Sequence, residues 1–275
     1  MAVMELFFSV IIPTLNEEKY LPKLLDDLVK QKEKNFEVIV IDGGSEDKTE
    51  EMAKGYRDYL SLFFYQNQKR NVSSQRNFGA AQAHGKYLIF LDADSRIFST
   101  FTRIAAKTIK KEKGLIFIPY ITPGEKNLQL EIVFRLADYL AEYSYSVGRP
   151  FSLGGNMIVE KNYFQLIGGF PEDMFVSEDH GLIIKAYKWG IKGKFLKNTK
   201  VKINLRRMKK EGIRLWYKNH FVAISHVLLE KKVNRKTFKY EMGGHLYFNK
   251  EKKQTADELL KKYLQQAKKF LNQLF

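Results

Sequence analysis

Residues 86–97 read KYLIFLDADSRI, an apolar run that is followed at once by two carboxylates. The run YLIFL is short and rich in aromatic and aliphatic side chains, which predicts a buried strand. Asp92 and Asp94 come directly after it, separated only by Ala93. Because buried unpaired carboxylates are costly, we expect a positively charged partner at the end of this strand.

Two earlier apolar runs are also followed by a polar loop and a helical pattern. Residues 6–12 and 36–41 are largely apolar, and each precedes a loop and then apolar residues at helical spacing. We expect residues 16–18, Asn-Glu-Glu, to cap the first helix, and Ser45 or Asp47 to cap the second. Apolar strands that alternate with helices indicate an α/β fold, in which a mostly parallel central sheet is covered by helices on both faces.

The strand ends of this predicted sheet carry polar side chains. Thr14, Asp42, Asp92 and Asp94 all follow apolar runs. Ligands of parallel α/β sheets bind beyond the carboxyl ends of the strands, so we expect these four residues to lie at one binding site.

The composition is that of a chain able to form a substantial core without crosslinks. It has 275 residues, of which 44% are hydrophobic, and no cysteine, which excludes disulfides, thiolate metal sites and a cysteine nucleophile. No segment approaches the roughly 20 uncharged apolar residues that a membrane-spanning helix needs, and the N-terminus lacks the pattern of a signal peptide. We therefore expect a cytoplasmic protein, either soluble or peripheral on the inner face of the membrane.

The net charge of +16 is concentrated in the last third of the chain. Residues 181–275 hold 25 Lys and Arg against 6 Asp and Glu, whereas residues 1–180 are slightly acidic. The end of the chain, TADELLKKYLQQAKKFLNQLF, opens with a capping box and predicts an amphipathic helix. Such a helix either packs on its own domain or lies on an anionic membrane surface. Nucleic acid is a third partner that the charge alone would suit, but the strand-end carboxylates argue against it.

Five stretches together point to a known family. They are FSVIIPTLNEEKYLPKLLDDL, FEVIVIDGGSEDKT, RNFGAAQAHGKYLIFLDAD, GGNMIVEKNYFQLIGGF and SEDHGL. Their order and spacing resemble those of family 2 glycosyltransferases, whose fold is GT-A, a Rossmann-like sheet flanked by helices. The resemblance covers residues 6–210. It implies a catalytic domain over residues 1–210 and a basic, mainly helical extension over residues 211–275.

The resemblance also implies a divalent cation beside the donor. Asp92-Ala93-Asp94 resembles the DXD motif of the family, in which carboxylates hold Mg²⁺ or Mn²⁺ against the diphosphate oxygens of a nucleotide sugar. Hard cations prefer oxygen ligands, and a bound cation neutralises charge on the leaving diphosphate. Asp92 and Asp94 are thus the expected metal ligands. The alternative is a pair of solvated turn aspartates that cap the next helix.

A nucleotide-sugar site is implied around these carboxylates. In the family, the first loop wraps the base and ribose, an aspartate after the second strand bonds the base, and an arginine before a Gly-Ala-rich helix contacts the nucleotide or diphosphate. Glycines permit close backbone approach to the donor sugar, and later basic residues close over the diphosphate. The expected site comprises Pro13, Thr14, Leu15, Glu17, Asp42, Gly44, Arg76, Asp92, Ala93, Asp94, Gly155, Asn156, Arg206 and Arg207.

Several of these assignments have a structural alternative. For Asp42 and Glu17 it is helix capping. For Arg76 it is an ordinary exposed arginine, and for residues 206–207, both arginine, it is a solvated basic face. Asn156 is either a contact of the donor sugar or a structural residue.

Glu178 and Asp179 form the second acidic pair. An inverting transfer needs a general base that takes the acceptor's proton as its oxygen attacks the anomeric carbon. Asp179 resembles the aspartate of the family's ED motif and is the expected catalytic base, with Glu178 orienting it or the acceptor. The alternative is a helix N-terminus capped at Ser177, where two acids are favourable.

The expected function is therefore a metal-dependent, inverting glycosyltransferase of the hexosyltransferase type. Its expected donor is a UDP-, GDP- or dTDP-sugar, and its acceptor is lipid-linked, phosphorylated or a polysaccharide. A sugar-1-phosphate nucleotidyltransferase is the nearest alternative, since such enzymes also place metal-binding aspartates beside a diphosphate. A basic nucleic-acid-binding protein and a degenerate transferase that only binds its donor are the remaining alternatives.

Overall fold

The computed structural model describes residues 6–67, 69–174 and 178–211. Within them the strands are β1 (Phe8–Thr14), β2 (Phe36–Asp42), β3 (Leu62–Gln66), β4 (Tyr87–Phe90), β5 (Arg96–Ile97), β6 (Ile116–Pro123), β7 (Met157–Glu160) and β8 (Lys194–Ile203). The helices are α1 (Leu21–Val29), α2 (Thr49–Lys54), α3 (Val72–Gln82), α4 (Phe101–Glu112), α5 (Leu128–Ser146), α6 (Lys161–Leu166), α7 (Glu178–Lys188) and α8 (Arg206–Glu211). The predicted amphipathic tail and nearly all of the predicted basic extension lie outside the described residues.

The strands form one sheet in the order β3-β2-β1-β4-β7-β6-β8-β5. Its first part is parallel, with β1 paired to both β2 and β4, and β2 paired to β3. Beyond β4 the directions mix, because β7 runs antiparallel to β4 and β6, and β5 runs antiparallel to β8. The predicted α/β fold is confirmed, and the sheet is mixed.

The reversed strand β7 has a consequence for the site. Met157, its first residue, pairs with Phe90, the last residue of β4. The chain therefore leaves β6 and enters β7 at the edge of the sheet where β1, β2 and β4 end. The connection contains α5 and residues 147–156, and it delivers Gly155 and Asn156 to the end of β4.

Helices cover both faces of the sheet. Alternate residues of β1 point to opposite faces, so Val10 and Ile12 join one core while Ile11 joins the other. The first core includes apolar residues of α1 and α4, and the second includes those of α3, α6 and α7. Among the described helices, none is both long and apolar enough to cross a bilayer.

The first two helices begin differently from the prediction. Tyr20 is the N-cap of α1, and no side chain caps this helix; Asn16, expected to do so, instead accepts a hydrogen bond from the backbone N–H of Glu46 (2.7 Å). The N-cap of α2 is Lys48, and no side chain caps this helix either; Asp47, one of the two expected caps, lies one residue earlier and accepts from the N–H of Thr49 (3.0 Å). Asn16 does not cap α1 because the loop after β1 packs against the loop after β2 before α1 begins.

Candidate active site

The structure places the sequence-predicted residues in three adjoining groups beyond the strand ends. The first lies at the ends of β1 and β2 and contains Pro13, Thr14, Leu15, Asp42 and Gly44. The second joins the end of β4 to α3 and α7 and contains Arg76, Asp92, Gly155, Asn156, Glu178 and Asp179. The third contains Glu17, Asp94 and Arg206, while Ala93 is buried between the two aspartates of the DAD motif. Arg207 lies in α8, and only its backbone is described.

In the first group, Asp42 organises the loop that follows β2. Its Oδ1 accepts hydrogen bonds from the hydroxyls of Thr14 (3.0 Å) and Ser45 (2.5 Å). Its Oδ2 accepts from the backbone N–H groups of Gly44 (3.0 Å) and Ser45 (2.7 Å). Gly44 has a φ of 86°, a left-handed conformation that favours glycine. Asp42 therefore shapes this loop and does not cap α2.

Gln75 ties the same two strands together from α3. Its Nε2 donates to the backbone oxygens of Thr14 (2.8 Å) and Ile41 (2.9 Å), and its side chain is buried. Gln75 was not among the residues predicted from the sequence. Its only signal is its position directly before Arg76 in the predicted Gly-Ala-rich helix.

Arg76 is the centre of the second group. Its Nη1 lies 2.6 Å from Oε1 of Glu178, and its Nη2 lies 2.7 Å from Oδ1 of Asp92. The side chain is 2% exposed, so the alternative of an ordinary exposed arginine is wrong. One guanidinium group thus links the two acidic pairs that the sequence singled out. The positive partner expected at the end of β4 is, in this structure, an arginine.

Gly155 and Asn156 complete the wall beside this guanidinium. A Cβ built on Gly155 would lie 2.0 Å from Nη2 of Arg76, so any other residue at this position would displace the guanidinium. Oδ1 of Asn156 accepts from the hydroxyl of Ser95 (3.2 Å) and lies 3.4 Å from the backbone N of Asp92. Its Nδ2 is buried without a hydrogen-bond partner among the described residues, which leaves both of its N–H donors unused.

Asp179 lies in the first turn of α7 and is buried. Burial raises the pKa of its carboxyl group, the charge of Glu178 raises it further, and Arg76 opposes both. A carboxylate with a raised pKa is a stronger proton acceptor. His180, the next residue, is also buried, and burial lowers its pKa to about 4, so its ring is neutral at pH 7.

The third group is held by Arg206 at the start of α8. Its Nη1 and Nη2 bond the two oxygens of Glu17 at 2.8 and 2.5 Å, and its Nε lies 3.0 Å from Oδ2 of Asp94. The guanidinium also lies 4.7 Å from the ring centroid of Tyr20, a residue that the sequence analysis did not select. Arg206 is therefore not part of a solvated basic face, and Glu17 does not cap a helix through its side chain.

The two aspartates of the DAD motif have different surroundings. The side chain of Asp92 is 40% exposed, and only its Oδ1 is bonded to Arg76. Burial raises the pKa of Asp94 to about 7; Arg206 lowers it, and the charges of Glu17 and Asp92 raise it. Neither aspartate caps α4, which begins at Phe101, so the capping alternative is wrong.

These carboxylates fit a hard divalent cation. The donor atoms are carboxylate oxygens; the pKa of Asp94 is raised mainly by burial and, against the opposing charge of Arg206, by Glu17 and Asp92, whose repulsion a cation would relieve. Among the described residues, no cluster of three or more His, Cys, Asp or Glu side chains is arranged to hold a metal ion. A cation bound by Asp92 and Asp94 would therefore need further oxygen ligands from a diphosphate or water.

Comparison with known proteins identifies the family. A model of glycosyl transferase family 2 matches residues 9–165, more than half of the chain. The protein belongs to this family. Among curated relatives, the poly(ribitol-phosphate) β-N-acetylglucosaminyltransferase TarS of Staphylococcus aureus is 38% identical over 115 residues, which are 40% of this chain and 20% of TarS. The chain thus matches well under half the length of this relative.

Solved structures support the GT-A type of fold. The crystal structure of S. aureus TarS 1–349 in complex with UDP-GlcNAc superposes with a TM-score of 0.54 at 25% identity, over 72% of this chain and 56% of that one. A mannosyltransferase from Pyrobaculum calidifontis in complex with GDP-Man and Mn²⁺ superposes with a TM-score of 0.56 at 19% identity, over 71% of this chain and 56% of that one. The second likeness concerns the fold alone.

Proposed function

We propose that this protein is a metal-dependent, inverting glycosyltransferase that moves a sugar from a nucleotide-diphosphate sugar to an acceptor hydroxyl. The observation that carries the proposal is the double ion pair of Arg76 with Asp92 and Glu178, at 2.7 and 2.6 Å. This link holds Asp92, which we propose faces the diphosphate, close to Glu178. Glu178 and Asp179 form the acidic pair that we propose activates the acceptor. Membership of glycosyl transferase family 2 favours a glycosyltransferase over the alternative of a sugar-1-phosphate nucleotidyltransferase.

Asp92 and Asp94 are the proposed ligands of Mn²⁺ or Mg²⁺. When bound, the cation would neutralise charge that develops on the departing diphosphate. Two features support this assignment: the second oxygen of the half-exposed Asp92 is not engaged by Arg76, and the carboxyl of Asp94 lies among other acids. Arg206 is the proposed second source of positive charge, since its guanidinium already lies against Asp94. Arg207 is proposed to assist it.

The donor nucleotide is proposed to lie over the ends of β1 and β2. Pro13, Thr14, Leu15 and Glu17 would line the base and ribose, and Asp42 and Gly44 would face the base. Because both oxygens of Asp42 already accept hydrogen bonds from its loop, it would act partly by holding that loop in shape. A UDP-sugar is the first donor to test, because the TarS structure contains UDP-GlcNAc. GDP- and dTDP-sugars follow.

The acceptor side is proposed to involve Gly155, Asn156, Glu178 and Asp179. Asp179 would take the proton of the acceptor hydroxyl as its oxygen attacks the anomeric carbon from the side opposite the diphosphate, which inverts the configuration. Its raised pKa supports this role. Glu178, fixed by Arg76, would orient the base, and the free amide donor of Asn156 would bond the donor sugar.

A lipid-linked, phosphorylated or polysaccharide acceptor remains our proposal for the substrate class, and an anionic membrane surface our proposal for the location. Both rest on the basic last third of the chain. Cosedimentation with phosphatidylglycerol vesicles that weakens at high salt, or on deletion of residues 255–275, would support the membrane contact. No sedimentation at low salt would remove it.

The central test measures binding and transfer separately. Thermal shift with Mn²⁺ and a panel of UDP-, GDP- and dTDP-sugars should find a donor that stabilises the protein, because a ligand that binds only the folded state raises its stability. Asp94→Asn should lose the metal-dependent shift. Asp179→Asn should keep the shift and lose donor turnover. Asp58→Asn, at an exposed position far along the chain from both motifs, is the control and should behave as the parent.

The proposal fails if no nucleotide sugar of the panel binds or is hydrolysed with either metal. The division of roles fails if Asp94→Asn and Asp179→Asn weaken donor binding equally.

A further inference from the structure

Helix α5 presents an almost wholly apolar face to solvent. Seven of its residues, counting Val147 at the C-cap, are between 52% and 74% exposed: Leu128, Ile132, Leu136, Tyr139, Leu140, Tyr143 and Val147. Their spacing of three and four places them on one side of the helix. The only exposed polar residues within α5 are Gln129, Arg135 and Ser146. A contiguous exposed apolar surface of this kind marks a place of contact. We call it the α5 stripe.

The last described part of the chain already packs on this helix. Leu130 and Phe134, on the buried side of α5, form a small core with Leu205 and Met208. Met208 belongs to α8, which ends at Glu211. The chain that follows residue 211 therefore starts within one helical turn of a contact with α5.

The next segment is suited to cover an apolar surface. Residues 213–229 read IRLWYKNHFVAISHVLL, in which Arg214 and Lys218 are the only residues with a permanent charge. Gly212 precedes it, a residue that permits a change of chain direction. As a helix, 17 residues would span about 25 Å, close to the about 28 Å of the 19 residues of α5.

We propose that residues 213–229, which lie outside the described residues, dock on the α5 stripe of the same chain. Apolar surface on both partners supplies the driving force, and the covalent connection to α8, which contacts the buried side of α5, keeps the segment close to this helix. A second copy of the chain or a lipid surface would have to compete with this tethered segment. The same contact would hold α8 and, with it, Arg206 against Glu17 and Asp94.

This proposal goes beyond the transfer reaction and does not depend on it. Its consequence for domain organisation is that the catalytic domain continues past residue 210 and includes residues 213–229. The basic extension would then begin only with the lysines that follow residue 229.

The absence of cysteine from the chain permits a direct test. Leu136→Cys and Leu140→Cys each place a single thiol on the stripe, and Lys107→Cys on the exposed side of α4 is the matched control. In the lipid-free monomer, we expect both stripe thiols to react with a maleimide about tenfold more slowly than the control thiol. A chain that stops at residue 212 should lose this protection, while the control rate stays the same.

A second variant covers the case in which the shortened chain does not fold. Phe221→Asp, Ile224→Asp and Leu228→Asp, combined in the full chain, put charges on one face of the segment at helical spacing. Circular dichroism should match the parent, and the stripe thiols should react at the rate of the control thiol.

Three results would overturn the proposal. The first is fast reaction of the stripe thiols in the full chain that carries only the single Leu136→Cys or Leu140→Cys change. The second is protection that grows with protein concentration and accompanies a doubled mass in light scattering, which would assign the stripe to a second copy. The third is protection that arises only with phosphatidylcholine–phosphatidylglycerol vesicles, which would assign it to a membrane.

Discussion

Arg76 crosses Gly155 so closely that a Cβ at position 155 would lie 2.0 Å from Nη2 of the arginine. The guanidinium therefore lies in a slot that has glycine on one side and the ring of Phe170, 5.2 Å away, on another. Because this slot fixes the guanidinium, it also fixes the separation of Asp92 from Glu178. The geometry of the two acidic pairs thus depends on a residue that bears neither charge nor side chain.

Gly155→Ala should displace Arg76 and loosen both of its ion pairs. We expect a loss of about 1–3 kcal/mol in the free energy of unfolding, the usual cost of inserting atoms into a packed site. Gly55→Ala is the matched control, since a Cβ there meets its nearest neighbour at an ordinary 3.6 Å in helical backbone. Urea unfolding of both variants measures the difference. Equal stabilities would contradict the inference that Gly155 leaves the space in which the guanidinium of Arg76 lies.

Arg76→Gln should lower the free energy of unfolding far more than the same change at an exposed arginine. It leaves Glu178 and Asp92 without their cation, and breaking a buried pair in this way costs about 3–5 kcal/mol. Arg70→Gln is the control, because Arg70 pairs with Glu46 on the surface, where both side chains are more than half exposed. Its loss should stay below about 0.5 kcal/mol. Similar midpoints in urea for the two variants would show that Arg76 is not a structural link.

His180 should make stability depend on pH in a defined window. Burial lowers its folded-state pKa to about 4 from the ordinary 6.5, so the unfolded chain binds the proton more tightly. The stability that this group contributes is complete above pH 6.5 and is lost as the pH falls toward 4. Relative to His180→Leu, the parent should lose about 2 kcal/mol between pH 7 and pH 5. Parallel stability curves for the two proteins over this range would contradict the assignment.

Arg206→Gln should separate metal binding from donor binding. Nε of Arg206 lies 3.0 Å from Oδ2 of Asp94, so the guanidinium would compete with a cation for this oxygen. Without nucleotide, the variant should bind Mn²⁺ about threefold to tenfold more tightly, as measured by electron paramagnetic resonance of the free ion. With Mn²⁺ present, it should bind the nucleotide sugar more weakly, because a positive charge near the diphosphate is gone. A lower Mn²⁺ affinity would indicate that Arg206 supports the metal site instead.

The sequence predicted the end of the sheet at which the candidate residues lie, but not which of them pair with one another. Apolar strands predict where Thr14 and Asp42 end up, because parallel strands in register bring their carboxyl ends to the same edge. No local pattern could reveal that Arg76 would bond both Asp92 and Glu178. Such a choice depends on side-chain packing between segments that are distant in the sequence, 102 residues apart in the case of Arg76 and Glu178.

The direction of β7 and the start of α1 illustrate two other limits. Four residues, MIVE, carry no signal that distinguishes a parallel from an antiparallel partner. At α1, Asn16 has the right residue type for a cap but adopts a φ of 54° and bonds the loop after β2. In both cases tertiary contacts decide between locally equivalent conformations.

The pair of Glu17 with Arg206 joins residues that are 189 positions apart. During synthesis on the ribosome, residues 6–90 can assemble the parallel strands long before residue 206 leaves the exit tunnel. Closing so long a loop is also slow, since distant contacts form late in folding. Nascent chains therefore pass through a stage at which the parallel strands can pair while Glu17 and Asp94 still lack the counter-charge of Arg206.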